Sequence, residues 1–423
     1  MRFNASKFND HWQDRELIEL GSFQRGKSRH RPRNDPKLFE GGKYPLVQTG
    51  EIKEAGLYIQ KHVDAYNDFG LAQSKLWSEN TLCITIAANI AETALLGYPM
   101  CIPDSVVGFN AKPNESSELF MHYVFTYIRK AIQTSASGSI QDNINIDYLT
   151  SLKFKIPKKT YQEKIVSLLS NIDKKIELNY KINMELESMA KLIYDYWFIQ
   201  FDFPDENGKP YKSSGGKMVY NEVLKREIPD GWEMQSMSKK LKIGSGHSFS
   251  SDSYTGAGKY KIITIKNVQD HGLKTEKVDY VKKIPNNLDS FCILEIQDIL
   301  ISLTGNVGRL CLVNEEDLLL NQRVGKFLCD EVYKNYLYLT YLRPELRTWM
   351  ERIATGSGQK NLSPIDAVKI NCALPPPIIL ERFNTLINNN ISLIVKNSIE
   401  IKELEELRDW LLPMLMNGQV KIN

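Results

Sequence analysis

Apolar residues recur along this chain in two rhythms. Short runs such as Leu82-Cys-Ile-Thr-Ile and Leu300-Ile-Ser-Leu are bounded by turn residues and predict buried β-strands. Beyond Pro157 and again beyond Pro377 the rhythm changes to helical spacing, and proline suits a helix entrance rather than its interior. Each half of the chain therefore reads as roughly 150 residues of strands and turns followed by about 40 residues of helix.

The two halves are copies. Asp10-His11-Trp12 returns as Asp230-Gly231-Trp232, and Tyr44-Pro-Leu-Val as Tyr260-Lys-Ile-Ile. Val107-Gly108 returns as Val324-Gly325, and Gly138-Ser139-x-Gln141-x-Asn143 as Gly356-Ser357-x-Gln359-x-Asn361. Ile156-Pro157 matches Leu374-Pro375, and Glu163-Lys164 matches Glu381-Arg382. The offset stays near 218 residues (356 − 138). The expected fold is mixed α+β, with two similar globular domains separated by two long antiparallel helices that form a coiled-coil spacer. The expected boundaries are residues 1–156, first globular domain; 157–200, first long helix; 201–229, a connector rich in Gly, Pro, Ser and charge; 230–374, second domain; and 375–423, second long helix.

With Ile165 at heptad position a, the first helix reads Ile165, Leu168, Ile172, Lys175, Asn179, Ile182, Leu186, Met189, Ile193, Tyr196 at a and d, eight of the ten being apolar or aromatic. The same register in the second helix gives Phe383, Leu386, Asn390, Leu393, Asn397, Glu400, Leu404, Leu407, Leu411, Met414, where Ile387, Ile391, Ile394 and Ile401 shift the stripe sideways. Asn179 and Asn397 fall at equivalent a positions, where a buried amide costs stability but fixes register. At 1.5 Å per residue each seam spans roughly 48 Å, so the pair predicts a ruler between two domains.

Charge changes this picture locally, not globally. The 54 basic and 51 acidic residues among 423 leave a net charge of +3, so a nucleic-acid surface must be a patch. Such a patch is found where Arg25, Lys27, Arg29, Arg31 and Arg33 alternate, which in an extended segment aligns five cations toward a phosphate backbone. In the second copy Arg309, Arg323 and Lys326 flank strand-like segments, and the loop around Gln359 and Lys360 adds amide donors. Arginine suits guanine, and Gln or Asn suits adenine. Six scattered cysteines without a C-x-x-C pair, and an N-terminal stretch without an apolar core, predict a cytoplasmic protein with free thiols and no structural zinc. The stretch Leu82 to Ile102 is broken by Asn89, Glu92 and Pro99 and reads as buried strands, not a membrane span.

Catalytic motifs fail their context tests. Gly21-Ser-Phe-Gln-Arg-Gly26-Lys27-Ser28 satisfies the P-loop pattern, and Glu16 to Leu20 could supply the preceding strand. The following Arg29-His-Arg-Pro32-Arg-Asn-Asp-Pro36 cannot supply the helix. No Asn-Pro-Pro or Asp-Pro-Pro methyltransfer corner, metal-binding histidine pair or nucleophile elbow is present. A P-loop ATP-binding enzyme and a coiled-coil protein-interaction scaffold remain the alternatives to a DNA reader.

The segment Ile156-Pro-Lys-Lys-Thr-Tyr-Gln162-Glu163-Lys-Ile165, its copy from Leu374-Pro-Pro-Pro, and the connector Phe201-Asp-Phe-Pro with Ile228-Pro-Asp-Gly-Trp232 resemble the DNA-specificity subunit of type I restriction–modification enzymes. The resemblance covers essentially the whole chain. It departs from the pattern at Leu380, where the counterpart of Gln162 is expected, and at Asn390, which replaces an apolar residue. The resemblance implies two target recognition domains, each reading half of a split target in double-stranded DNA. It implies helices that set the spacer and dock two methyltransferase subunits, with motor-nuclease subunits joining. S-adenosylmethionine, ATP and Mg²⁺ would then be bound by those partners, with no cofactor on this chain and no catalysis by it. The loops Arg25–Arg33 and His247–Lys259 share little sequence, which predicts an asymmetric target.

Overall fold

The computed structural model describes residues 2–4, 6–87, 89–137, 144–270 and 272–422. The chain divides into two compact units, residues 1–177 with 403–423 and residues 178–402. Both unit boundaries fall inside long helices, so each unit combines a strand-rich domain with pieces of both helices.

The repeat seen in the sequence is a repeat of topology. In the first unit, strands Gly21–Arg25, Val106–Ala111, Leu82–Thr85 and Thr93–Leu96 lie side by side, antiparallel, with Tyr58–Ile59 added parallel at the edge. The second unit repeats the first four as Lys242–Ser245, Val324–Leu328, Ile299–Ser302 and Leu310–Leu312. A second sheet, in the order Asp64–Tyr66, Tyr44–Leu46, Met100–Cys101, Leu76–Trp77, is matched by Asp279–Val281, Tyr260–Ile263, Leu318–Leu320, Ile293–Leu294. Even its parallel pairing recurs, between the second and third strand of each set. The run Leu82 to Ile102 forms buried strands, as its composition predicts.

The sequence match of Gly108 with Gly325 slips by one residue in the structure: the Val106 and Val324 carbonyls accept from the equivalent Gly26 and Gly246, so Gly325 answers Val107, and the two glycines relieve crowding at adjacent positions of the same strand. A Cβ on Gly108 would lie 2.6 Å from the Trp77 ring, and one on Gly325 would lie 2.4 Å from Ile243. Real Cβ atoms do not approach that closely, so these central-strand positions exclude a side chain.

Glu16 to Leu20, expected as a strand, is split. Gln13–Glu16 pairs with Lys153–Ile156, and Leu17–Leu20 forms one helical turn that buries Leu17 and Leu20 completely. Two leucines three residues apart share a face in a helix and oppose each other in a strand, so burying both selects the helix.

The long helices span Lys159–Tyr194 and Pro377–Met416. Pro377 occupies the first helical position, where its missing N–H costs nothing. Within each unit the two helices run antiparallel: Asp173 meets Arg408 in the first, and Asn179 meets Glu400 while Asn183 meets Asn397 in the second. The contact seam is not the expected one. Ile165, Leu169, Ile172 and Ile176 are buried in the first unit, and Asn179, Asn183 and Ala190 with half-buried Leu186 in the second, a 4-3 spacing that keeps the a positions and replaces d by its neighbour. Leu168, Ile182 and Met189 lie exposed, and Ile193 is half-buried. In the second helix Phe383, Ile387, Ile391 and Ile394 are buried, while Leu386, Leu393 and Leu407 are exposed and Asn397, Leu404 and Leu411 are half-buried. The expected register prefers Ile182 to Asn183 because it is apolar. The fold buries Asn183 instead, since Ile394, Ser398 and Asn397 satisfy its amide.

One departure from the repeat has a visible reason. Gln162 is buried and bonds Ser116 Oγ, the Glu115 carbonyl and the Pro157 carbonyl, stitching the helix entrance to the first domain. Its counterpart Leu380 is buried in the apolar core of the second unit with Trp197, Phe198 and Phe383. The connector is not loose. Phe201 and Phe203 are buried, and Met218–Asn221 and Arg226–Pro229 form an antiparallel hairpin. Among the described residues no helix is long and apolar enough to cross a membrane.

Candidate nucleic-acid interface

The five alternating cations follow directly from the strand Gly21–Arg25. From Ser22 to Arg29 the chain stays extended, with Phe23, Gly26 and Ser28 turned inward and Arg25, Lys27 and Arg29 outward. The segment is tied down by its backbone: Gly26 N–H donates to the Val106 carbonyl at 2.9 Å and Lys27 N–H to the Ile102 carbonyl at 3.0 Å. These are the amides a P-loop would present to phosphate, and here they are already used. Gly26 itself answers a packing need, because a Cβ there would lie 2.3 Å from the Pro103 carbonyl oxygen. Gly246 repeats this against Asn321 at 2.4 Å. The P-loop pattern is thus an accident of strand packing.

Beyond Arg29 the alternation ends, yet Arg31 and Arg33 remain exposed. Their guanidinium groups converge on one carboxylate, Asp104, at 3.1 and 2.7 Å. Arg25 Nε donates to the backbone carbonyl of the same residue at 2.5 Å. Asp104 therefore organises three of the five cations and neutralises part of their charge. Asp35, the nearest acid in sequence, is engaged with His30 at 2.8 Å; that bond and the Lys37 backbone N–H hold its carboxyl below the usual range. Sequence reading missed Lys75, whose ammonium lies 3.9 Å over the Trp77 ring and donates to Gln24 at 2.8 Å, next to Arg25.

In the second unit, Arg309, Gln359 and Lys360 are brought together. They line a cleft of about 540 Å³ with Lys266, Gln269, Thr304 and Asn306. The loop reaches the cleft through Gly356, whose φ of +107° is open to glycine and strained for other residues. Asn361 anchors it to Thr304 at 3.1 Å. Arg309 pairs with Asp270 at 3.2 Å, and Arg347 pairs with the same carboxylate at 2.8 Å. One aspartate thus gathers two arginines in each unit. Lys266 and Arg347 carry no motif that sequence reading could have used.

Arg323 is exposed but does not line that cleft, and Lys326 is not surface chemistry at all. Its ammonium meets Asp298 at 2.5 Å, with both side chains 12% exposed, so it closes an internal ion pair. The first-copy loop Gly138 to Asn143 lies outside the described residues. Among the described residues, no group of three or more His, Cys, Asp or Glu side chains could hold a metal ion.

What these surfaces offer is cationic forks and amides at loop ends, held by carboxylates on a rigid sheet. Such an arrangement can contact phosphates and read base edges.

Comparisons with known proteins give the family. The family model described as type I restriction modification DNA specificity domain matches residues 9–188 and again 229–403. The chain is 26% identical over 358 residues to the type I restriction enzyme HindI specificity subunit of Haemophilus influenzae, covering 73% of this chain and 75% of that one. It is 23% identical to the MjaIX specificity subunit of Methanocaldococcus jannaschii, covering 99% and 96%. Among solved structures, the S subunit of a type I restriction–modification system from M. genitalium shares the fold, with a TM-score of 0.59 at 17% identity over 98% of this chain and 99% of that one. With two matches that together take in most of its length, the chain belongs to the type I restriction–modification DNA-specificity family.

Proposed function

We propose that each unit reads one half of an asymmetric, bipartite duplex target, the first through Arg25, Lys27, Arg29, Arg31 and Arg33, the second through the cleft holding Lys266, Arg309, Gln359 and Lys360. The observation that carries this reading is a repeated fold whose corresponding segments differ: Arg25 to Arg33 carries five cations, whereas its counterpart His247 to Lys259 has only Lys259 beside His247. The same frame with different edges should recognise different bases. The long helices fix the spacer between half-sites and dock two methyltransferase subunits on their outer faces, which carry Ile182, Met189, Leu386 and Leu393. Motor-nuclease subunits complete the assembly. Catalysis and the binding of S-adenosylmethionine, ATP and Mg²⁺ belong to those partners, and the complex acts on cytoplasmic DNA.

Co-expression with the cognate methyltransferase, followed by mapping of methylated adenines across the host genome, tests this reading. The expected result is one split motif with unequal halves around a fixed spacer. A palindromic motif would overturn the asymmetric reading. Loss of methylation must follow from Arg31→Ala with Arg33→Ala, and unchanged methylation in that variant would remove the first surface from the account.

A further inference from the structure

The internal repeat exposes a difference at the junction between helix end and domain start. In the second unit, Trp232 stacks on Phe203 with ring centroids 5.5 Å apart and 26° between planes. Phe203 stacks in turn on Tyr211 at 4.7 Å and 17°. Arg382 on the second long helix holds the Pro204 carbonyl at 2.9 Å. The junction is thus filled by the connector Phe201-Asp-Phe-Pro-Asp-Glu206, a segment that alternates aromatic and acidic side chains.

The first unit has the same frame around a different interior. Trp12 takes the place of Trp232, and Lys164 that of Arg382. At the 218-residue offset, Lys421 stands where Phe203 does. Beside Trp12 the structure leaves a cavity of about 430 Å³, lined by Phe8, Trp12, Tyr161 and Ile422 among others. A cavity of about 150 Å³ already admits a benzene ring, so this one has room for an aromatic side chain with part of its backbone. The charged residues of the lining are Arg15, Lys158, Lys159 and Lys421 against a single acid, Glu115. Arg15 is engaged by Glu19 and Glu115, whereas Lys158 and Lys421 are exposed at the rim.

We infer that this pocket binds an acidic segment of a partner protein, anchored by an aromatic side chain that packs against exposed Phe8 and against Tyr161, which itself covers Trp12 at 6.0 Å. A buried aromatic anchor with a charged rim is how compact peptide sites concentrate their affinity. The pocket shares no residue with the DNA-reading surfaces, so it stands whether or not those assignments hold.

The test uses the full-length chain and a peptide copied from its own connector, residues 201–211, blocked at both ends and carrying a benzophenone at the Phe203 position. Irradiation at peptide concentrations up to about 1 mM, the weak end of specific binding, is followed by mass-spectrometric mapping. Cross-links at Trp12, Tyr161 or Ile422 are expected. Affinity should fall about tenfold or more in Lys158→Glu with Lys421→Glu, two exposed sites whose reversal leaves the core untouched. A peptide carrying Phe203→Ala should not compete. Absence of cross-linking, cross-linking near Trp232 only, or binding indifferent to the charge reversal would each overturn the inference.

Discussion

Asn397 donates its side-chain amide to Asn183 Oδ1 at 2.9 Å across the helix pair of the second unit. Asn183 passes its own amide on to the Ile394 carbonyl and to Ser398 Oγ, both at 3.2 Å. A polar chain of this kind inside an apolar seam fits one alignment of the helices and penalises the others. Replacing Asn183 alone by leucine leaves the Asn397 amide without its acceptor and should cost about 1–3 kcal/mol of stability. Replacing both by leucine should restore the melting temperature while relaxing the alignment. Methylome mapping would then show a second spacer length beside the original one, and an unchanged single spacer would argue against a register role.

Asp104 holds Arg31 and Arg33 in place at the expense of their charge. Asp104→Asn should therefore raise affinity for unrelated duplex and steepen its salt dependence, because two cations are released toward phosphate. Preference for the true target should shrink, on the scale of about 1–3 kcal/mol that a well-placed base contact supplies. Binding isotherms with target and scrambled duplexes at several salt concentrations separate the two effects.

Gly26 packs against the Ile102 and Pro103 carbonyl oxygens, and Gly246 against those of Leu320 and Asn321. Gly26→Ala and Gly246→Ala should each destabilise by about 1–3 kcal/mol or more, as overpacked interiors do. Lys27→Ala should leave the melting temperature unchanged, because its side chain is exposed. Thermal denaturation of the three variants distinguishes a structural glycine from a nucleotide loop, in which Lys27 would matter most to ATP binding.

Glu315 accepts from Lys261, Lys402 and Thr275, binding the second domain to the second long helix. Burial opposes its ionisation, but the Lys261, Lys402 and Thr275 donors outweigh that and hold the carboxyl below its ordinary value of 4.5. A folded-state value below the unfolded one means that the stabilisation is complete above pH 4.5 and is lost as pH falls through the lowered value. Denaturant titrations between about pH 3 and 6 should show a steeper loss for the native chain than for Glu315→Gln. At neutral pH the variant should be weaker by about 1–3 kcal/mol, since two ammonium groups lose their shared partner.

Much of this architecture can be read from the chain because it is written twice. Gly26 and Gly246 recur because the same point is crowded in both copies, and Pro157 and Pro375 recur because both helices need an entrance. The seam was harder to read. Leu168 and Leu169 are both apolar, and Ile182 adjoins Asn183, so hydrophobicity cannot say which neighbour turns inward; for Asn183 the Asn397 amide and the Ser398 hydroxyl decide it. The recognition surfaces were legible as positive charge but not as geometry. Asp104 lies 73 residues from Arg31 and 71 from Arg33, and no local pattern links an acid to arginines so distant. Lys326 shows the converse, a cation placed by sequence at the surface whose partner Asp298 draws it inside.

The displaced seam leaves an oily strip in the second unit: Leu178, Ile182, Met189 and Leu192 on one helix, Leu386 and Leu393 on the other, with Leu192 68% exposed. A strip of this extent makes the uncovered chain prone to self-association and to capture by chaperones and proteases. Copies synthesised beyond the supply of whatever covers that strip would be short-lived. The number of working readers in a cell would then track the scarcer component, and stoichiometry would be enforced by turnover without a dedicated regulator.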